Sequence, residues 1–386
     1  MALVFVHGIG NRSGHARYQG AVDLRDALFR RFLVTRAYPE LSGLPINNPM
    51  WGDLGAQLRW QHASLPTARQ ERLGADESLT DLASLVGSVH EGRTVLDVAH
   101  DDARDAVDLL YTCVDLRGRS PQEIDDLADL AVALVDLCDS PKATAHWLAD
   151  VADDDELLDR FHRLARDPSA PEGTERLGAG DRIGRQARRL LADGLSRYRR
   201  HTLGLPARTA AAALRRLAAK PLSLLIGDIM CYLDTRGTRE QPGDIVRLVS
   251  TALDDARQDG PLVVVAHSMG GNIVYDILSH FRPDLRVDAL VTVGSQVGLF
   301  EELALFHSSD TRLPNPQAPR VPALPNMGTW INVVDPADIL AYRTDTVFEG
   351  TVEYEYPSDE PWAHSAYFRQ PHFHQRLADR LDEARP

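Results

Sequence analysis

The sequence is poor in cysteine, in long apolar runs and in positive charge. Its three cysteines are odd in number and lack the spacing of metal ligands, so we expect reduced core thiols in a cytoplasmic protein (Cys113, Cys138 and Cys231). No apolar run approaches the ~20 residues that a membrane-spanning helix needs. The formal net charge of −14 argues against nucleic acid or acidic lipid as a non-specific partner of the molecule as a whole.

The first residues, Met-Ala-Leu-Val-Phe-Val-His-Gly, lack the basic segment and the longer apolar stretch of a secretory signal peptide. We expect a buried strand at Leu3–Val6 that ends in a glycine-rich turn, His7-Gly8-Ile9-Gly10-Asn11. Such a turn leaves backbone N–H groups free to point into a cleft, where acyl transfer needs donors for an oxyanion. An ordinary tight connection between a strand and a helix has the same composition, so this turn alone does not decide the function.

The most informative stretch spans residues 261–275. Leu262–Val265 is a short run rich in β-branched residues, which is typical of a strand buried on both faces. Ala-His-Ser-Met-Gly-Gly follows, and apolar residues at helical spacing come next. This context is that of a nucleophile elbow, with Ser268 on a strained turn, although Ala266 stands where Gly-x-Ser-x-Gly has its first glycine. A buried turn without a catalytic role is the alternative.

Val-His-Gly-Ile-Gly at 6–10 and Ala-His-Ser-Met-Gly-Gly at 266–271 together resemble the α/β-hydrolase superfamily, and small bacterial lipases in particular. The wider layout is similar to an intracellular lipase-like branch related to GPI-inositol deacylases. The resemblance covers about the first 35 residues and residues 222–375. It implies a serine hydrolase without metal or cofactor, in which the backbone N–H groups of Ile9 and Met269 are the oxyanion donors.

A serine nucleophile also needs a histidine that accepts its proton and a carboxylate that orients this histidine. In the family's order the acid and then the histidine follow Ser268. Asp335 precedes a proline and suits a turn cap, whereas Asp338 matches the later aspartate of related lipases, so we favour Asp338 and keep Asp335 as the alternative. His364 lies in Trp-Ala-His-Ser-Ala-Tyr, which resembles the His-Ser-x-Tyr of related hydrolases, so we favour His364 as the catalytic histidine and keep His372 and His374 as the alternatives.

Four further histidines are candidates for lesser roles. His372 and His374 stand at the start of the last predicted helix, and we expect surface or capping positions for them rather than a metal pair. His7 and His267 flank the predicted site, and we expect each to fix a neighbouring loop. Gly8 and Gly10 would support the same turn.

Strand and helix signals alternate along the core. We expect a helix at Tyr18–Phe32, a strand at Ile46–Trp51 interrupted by Pro49, a helix at Gly243–Leu253, strands at Ala289–Val293 and Thr329–Val334, an extended segment at Val347–Tyr356 and a closing helix at Phe373–Leu381. Residues 222–234 fit either a strand or a helix. The alternation predicts an α/β fold with a mostly parallel central sheet and helices on both faces.

Residues 54–220 differ from the rest, because their apolar residues recur at helical intervals, most clearly in Glu123–Cys138. We therefore divide the chain into a core (1–53 and 221–386) and a large helical insertion (54–220). By analogy, the insertion would be a lid over the elbow. The 182–220 segment contains 11 lysine or arginine residues and one acidic residue. It is either a surface paired with the acidic part of the insertion or a helix that binds a membrane surface or a protein partner through Leu190, Leu191 and Leu195.

These features predict a serine esterase that acts on a small-molecule or lipid ester. A thioesterase or amidase would use the same residues. Two further alternatives are a non-catalytic partner-binding protein on a hydrolase fold and a toxin or effector hydrolase gated by its insertion.

Overall fold

A parallel β-sheet forms the centre of the molecule. The computed structural model describes residues 1–15, 18–33, 43–60, 93–139, 148, 150–165, 180–202, 223–358 and 363–383. Within them the six strands pair in the order β2-β1-β3-β4-β5-β6, and every pairing is parallel. The strands are β1 (Ala2–Val6), β2 (Ile46–Asn47), β3 (Leu262–His267), β4 (Val287–Val293), β5 (Met327–Val334) and β6 (Thr351–Glu355).

The order of the strands reverses between β1 and β3. The chain passes outward from β1 to β2 and then returns to the other side of β1 with β3. The carboxyl ends of β1 and β3 therefore lie side by side, with Val6 opposite Ala266. In open parallel sheets this reversal forms the crevice in which ligands bind. The segments that follow the two strands, which begin with His7 and Ser268, meet at this crevice.

Helices cover both faces of the sheet. The helices in chain order are α1 (Tyr18–Phe32), α2 (Val95–Asp101), α3 (Ala103–Cys113), α4 (Pro121–Asp139), α5 (Asp154–Leu164), α6 (Gly180–Thr202), α7 (223–235), α8 (Asp244–Gln258), α9 (Met269–Asp276), α10 (Val297–Glu302), α11 (Ala363–Ala366) and α12 (Pro371–Glu383). One face packs against α1 and α12, and the other packs against α8 and α9. Successive residues of β3 point to opposite faces, so both faces need apolar side chains. The predicted α/β class with helices on both faces is confirmed.

The helices between residues 93 and 202 form an outer layer on α1 and α12. α4 packs against α1, and both α3 and α4 pack against α12. Their apolar side chains belong to the same continuous core as one face of the sheet. The division at 54 and 220 and the lid stay predictions, because residues 61–92 and 203–222 lie outside the described residues.

Arginines of α6 pair with acidic side chains of the preceding helices and loops. The Nε of Arg188 lies 2.6 Å from Asp159, and Arg197 lies 2.5 Å from Asp115. Leu190, Leu191 and Leu195 are buried in the core. The apolar side of α6 is therefore used by the fold itself. A partner for the remaining 203–220 part of the basic segment stays a prediction, outside the described residues.

One strand is shorter than predicted, and one element for which two structures were expected is now assigned. The second strand ends at Asn47 rather than at residue 51, since Pro49 cannot donate a ladder hydrogen bond and a 3₁₀ turn starts at Trp51. Residues 223–235, which fit a strand or a helix, form a helix. Among the helices of the described segments, none has both the length and the apolar character needed to cross a membrane.

Candidate active site

Ser268 lies on a strained turn between β3 and α9. Its φ of 53° and ψ of −127° belong to a region that side chains other than glycine rarely adopt. Hydrogen bonds hold this backbone on both sides. The N–H of Ser268 donates to the carbonyl of Val293 over 2.9 Å, and its carbonyl accepts from the Gly271 N–H at 3.0 Å and from the Ser295 hydroxyl at 2.9 Å. These three hydrogen bonds thus hold the strained turn in place.

Small residues allow the segments around Ser268 to approach closely. A Cβ on Gly270 would lie 2.2 Å from the carbonyl oxygen of Val6, and a Cβ on Gly8 would lie 2.7 Å from the Cβ of Ser268. No real Cβ contact is so short, so only glycine fits at these two positions. Ala266, by contrast, lies fully buried inside β3, in register with Val6. Its methyl group fills the core where the usual motif has glycine.

The side chain of His364 connects Ser268 to Asp338. The Nε2 atom of His364 lies 2.9 Å from the Oγ of Ser268, and its Nδ1 lies 2.9 Å and 3.1 Å from the two carboxylate oxygens of Asp338. A carboxylate beside Nδ1 favours the tautomer with the proton on that nitrogen. Nε2 is then free to accept the serine proton. Ser268 and Asp338 are buried, whereas the His364 side chain is 15% exposed.

The carboxylate of Asp338 accepts two further hydrogen bonds. The backbone N–H of Leu340 donates to Oδ1 at 2.9 Å, and the hydroxyl of Tyr367 donates to Oδ2 at 3.0 Å. Burial, reinforced by the charge of Asp338, raises the pKa of Tyr367, so its hydroxyl stays protonated and donating. Gly294 has a φ of 54°, and a Cβ there would lie 2.7 Å from Oδ2 of Asp338. The turn after β4 thus needs glycine to admit this carboxylate.

Asp335 has a different environment. Its Oδ1 accepts from the N–H of Ala337 at 2.8 Å, and its Oδ2 accepts from the N–H of Ser358 at 2.7 Å. Its own N–H donates to the Tyr367 hydroxyl at 3.0 Å. Asp335 therefore caps the turn after β5 and ties it to residue 358, while Asp338 is the carboxylate that faces His364.

His267 and His7 are both buried beside the site. His267 Nε2 lies 2.7 Å from the carbonyl of His364, and burial, reinforced by the nearby His364, lowers its pKa to about 3. His7 donates from Nδ1 to the Gly8 carbonyl at 2.7 Å and stacks on Trp51, with ring centroids 5.1 Å apart. Burial lowers the pKa of His7 to about 4. Both rings are thus neutral near pH 7, and each contacts a loop of the site.

The loop that follows β1 faces the turn of Ser268. Within the described residues, the N–H groups of Ile9 and Met269 have no hydrogen-bond partner. The side-chain amide of Asn11 donates to the carbonyls of Gly8 at 3.0 Å and Ile9 at 3.3 Å. These two hydrogen bonds direct the carbonyls of Gly8 and Ile9 towards the side chain of Asn11.

Sequence reasoning did not identify Asp228, which contacts this loop from α7. Its Oδ2 accepts the Gly10 N–H at 3.0 Å across 218 positions of sequence. The Gly227-Asp228 pair interrupts an apolar run, and this was the only local signal. Trp51 is a second such residue, because its indole N–H donates to the His7 carbonyl at 2.7 Å. Neither contact can be read from local spacing.

The prediction that His372 and His374 are surface or capping residues is wrong. They are 2% and 1% exposed. His372 Nδ1 lies 3.1 Å from Asp108 of α3, and His374 Nε2 donates to the Phe368 carbonyl at 3.1 Å. α3 covers His372, and His374 packs against Phe29 and Phe32 of α1. No cluster of His, Cys, Asp and Glu able to hold a metal ion occurs in the described part of the chain.

The contacts among Ser268, His364 and Asp338 indicate which chemistry these side chains can perform. A hydroxyl bonded to an imidazole, which is bonded in turn to a carboxylate, can lose its proton to the imidazole as it attacks an electrophile. The two unpartnered N–H groups belong to the segments that follow β1 and β3, where an oxyanion on the attacked carbon would need donors. Comparison with known proteins adds no second line of argument, because no family model, curated protein or solved structure matches this chain.

Proposed function

We propose that this protein is a serine hydrolase of the α/β-hydrolase type that cleaves carboxylic esters through an acyl-enzyme. The observation that carries the proposal is the 2.9 Å contact between the Oγ of Ser268 and Nε2 of His364, made by a serine on a strained strand-to-helix turn. A buried structural serine would not need a backbone conformation of this kind. Strained backbone conformations that the surrounding structure holds in place occur most often at active sites.

In the proposed reaction the Oγ of Ser268 attacks the ester carbonyl carbon. The serine proton moves to Nε2 of His364 as the bond forms, and the carbonyl oxygen becomes an oxyanion that the N–H groups of Ile9 and Met269 bind. His364 then gives the proton to the leaving alkoxide, and the carbon–oxygen bond breaks. Water then attacks the carbonyl carbon of the acyl-enzyme and loses a proton to His364. The bond between this carbon and the Oγ of Ser268 breaks, His364 returns the proton to Oγ, and the carboxylic acid leaves.

Asp338 orients His364 and stabilises the imidazolium that forms. Its Oδ1 and Oδ2 both face Nδ1 of His364, and hydrogen bonds from Leu340 and Tyr367 fix the carboxylate. A carboxylate that is already fixed pays no reorganisation cost when the imidazolium appears. The role proposed for Asp335 is structural, because its oxygens are occupied by backbone N–H groups.

An exposed apolar side chain next to Asp338 in sequence favours a lipid-like ester as the substrate. Ile339 follows Asp338, whose carboxylate faces His364, and its side chain is 79% exposed. An apolar side chain in this position would favour an acyl chain over a charged substrate.

Labelling with a fluorophosphonate probe tests the reaction. Wild-type protein should label, Ser268→Ala should not, and Ser308→Ala, which changes an exposed serine, should label like wild type. A series of p-nitrophenyl esters from acetate to palmitate then tests the substrate class, and we expect kcat/KM to rise with chain length. A folded wild-type protein that neither labels nor hydrolyses any ester would instead favour the non-catalytic, partner-binding alternative.

A further inference from the structure

Asp228 joins three separate segments of the chain at the loop after β1. Its Oδ2 accepts the backbone N–H of Gly10 at 3.0 Å, and its Oδ1 accepts the backbone N–H of Ala56 at 2.8 Å. The guanidinium of Arg12 contacts both oxygens, at 3.2 Å and 2.7 Å. Asp228 is fully buried, and the Arg12 side chain is 18% exposed.

The surroundings of Asp228 are built for a carboxylate. A buried carboxylate is costly unless it is paired and its remaining lone pairs are satisfied, and here one bidentate arginine and two N–H groups do this. A Cβ on Gly55 would lie 2.4 Å from Oδ1 of Asp228, so the chain beside Ala56 needs glycine to come this close. Arg12 also donates to the Ala56 carbonyl at 3.1 Å, which closes the network.

This network fixes one side of Ile9. Gly8 packs against the side chain of Ser268, and Gly10, with a φ of 72°, is bonded through its N–H to Asp228. A loop with two glycines has wide conformational freedom unless its ends are held. Ile9 lies between these two fixed points, so the direction of its N–H depends on both of them.

We propose that Asp228 is a positioning residue, which aims the N–H of Ile9 at the oxyanion by anchoring residues 8–12. The role in oxyanion binding rests on the proposed ester hydrolysis. The anchoring of residues 8–12 by Asp228 does not depend on that proposal. Ala56 and Asp228 also stand at the two ends of the long segment between them, so one carboxylate ties both ends of that segment to the loop.

The test compares Asp228→Asn with a matched variant, Asp276→Asn. Asp276 is also fully buried and accepts hydrogen bonds from an arginine and a tyrosine, Arg236 at 2.8 Å and Tyr232 at 2.9 Å, but its partners do not include the loop. Both substitutions remove a buried charge and leave the partner arginine unpaired. Loss of general stability is thus common to the two variants, and loss of loop position is expected for only one.

Three quantities are measured on each folded variant: kcat and KM for a p-nitrophenyl ester, the affinity for a boronic acid that forms a tetrahedral adduct with serine, and amide hydrogen exchange in residues 8–12. For Asp228→Asn we expect kcat to fall about 10- to 100-fold, because loss of an oxyanion donor costs ~10²–10³ and a displaced donor less. Boronate affinity should fall in proportion to kcat, and KM should change less than about threefold, because the transition state and not the ground state needs the donor. Amide hydrogen exchange in residues 8–12 should accelerate, because the loop loses its anchor. Asp276→Asn should leave all three quantities close to wild type.

Wild-type kinetics and boronate affinity in Asp228→Asn, together with lowered stability in both variants, would overturn the inference and leave Asp228 a structural residue. If the wild type hydrolyses no ester and labels with no phosphonate, the proposed function fails, and hydrogen exchange alone then decides whether Asp228 anchors the loop. If Asp228→Asn does not fold, Arg12→Gln/Asp228→Asn takes its place, with Arg236→Gln/Asp276→Asn as its control, because neither pair leaves a buried charge unpaired.

Discussion

The imidazole of His267 donates its Nε2–H to the backbone carbonyl of His364 across 2.7 Å. His267, which directly precedes Ser268, therefore fixes the backbone at His364, whose ring faces Ser268. The two rings lie 4.8 Å apart, and the pKa of His267, lowered to about 3 by burial, keeps the ring neutral. One short segment of sequence thus places the hydroxyl and also fixes its partner.

Replacing His267 by alanine should slow the proposed reaction without greatly weakening substrate binding. Loss of one hydrogen bond is worth about 1 kcal/mol, which corresponds to a roughly fivefold to tenfold fall in kcat if His364 loses its position. Ester kinetics on the folded variant measure this. His267→Gln should recover part of the rate because its amide can donate to the same carbonyl. Equal rates in wild type and His267→Ala would show that the contact has no such role.

The two aspartates after β5 should differ in their effects. We expect Asp338→Asn to lower the rate of fluorophosphonate labelling by ~10³–10⁴, since an amide beside Nδ1 favours the wrong tautomer of His364. Asp335→Asn should reduce stability but should leave the labelling rate of the folded protein within about threefold of wild type, because its oxygens bind backbone N–H groups rather than His364. The reverse pattern would assign Asp335 as the acid.

The features that the sequence predicted well depend on local pattern. The bounds of α1 agree with the helical spacing at Tyr18–Phe32, and the turn at Ser268 follows a strand and precedes a helix as its small residues indicate. In both cases the residues that determine the structure are neighbours in sequence. The parallel sheet follows from the same local signals, because alternating strands and helices pair in this way.

The features that the sequence did not predict depend on contacts between distant segments. His372 is buried because α3 docks on α12, and its partner Asp108 is 264 positions away. A pattern of exposed and apolar residues in the last helix cannot reveal a layer of helices that covers it. Asp228 is a similar case, since the role of its carboxylate can be recognised only when the positions of Gly10 and Ala56 beside it are known.

The absent first glycine of the elbow motif also leads to a prediction. Ala266→Gly should cost about 1 kcal/mol of unfolding free energy, through backbone entropy and a lost buried methyl group, and should not change the labelling rate. Gly270→Ala should cost about 3 kcal/mol, because its Cβ would overlap the Val6 carbonyl and force β1 and α9 apart. Urea unfolding and phosphonate labelling measure the two effects. A tolerated Gly270→Ala would contradict the close packing of this turn.

The buried histidines should make the protein less stable as pH falls. Burial lowers the pKa of His374 from 6.5 to about 3, so between these values the unfolded chain binds a proton that the folded protein does not. The free energy of unfolding should therefore fall with pH in this window, by about 2 kcal/mol for His374 between pH 7 and pH 5. His374→Gln removes this proton linkage and can still donate towards the Phe368 carbonyl.

The comparison is made between variants, so that titrating carboxylates common to all of them cancel. Relative to wild type, His374→Gln should gain about 2 kcal/mol when urea unfolding is measured at pH 5 rather than at pH 7. His15→Gln, which changes an exposed histidine, should shift by less than about 0.5 kcal/mol over the same interval. If the difference between His374→Gln and wild type does not depend on pH, the imidazole is not held neutral, and the packing of α1 on α12, where His374 contacts Phe29 and Phe32, would then have to admit water.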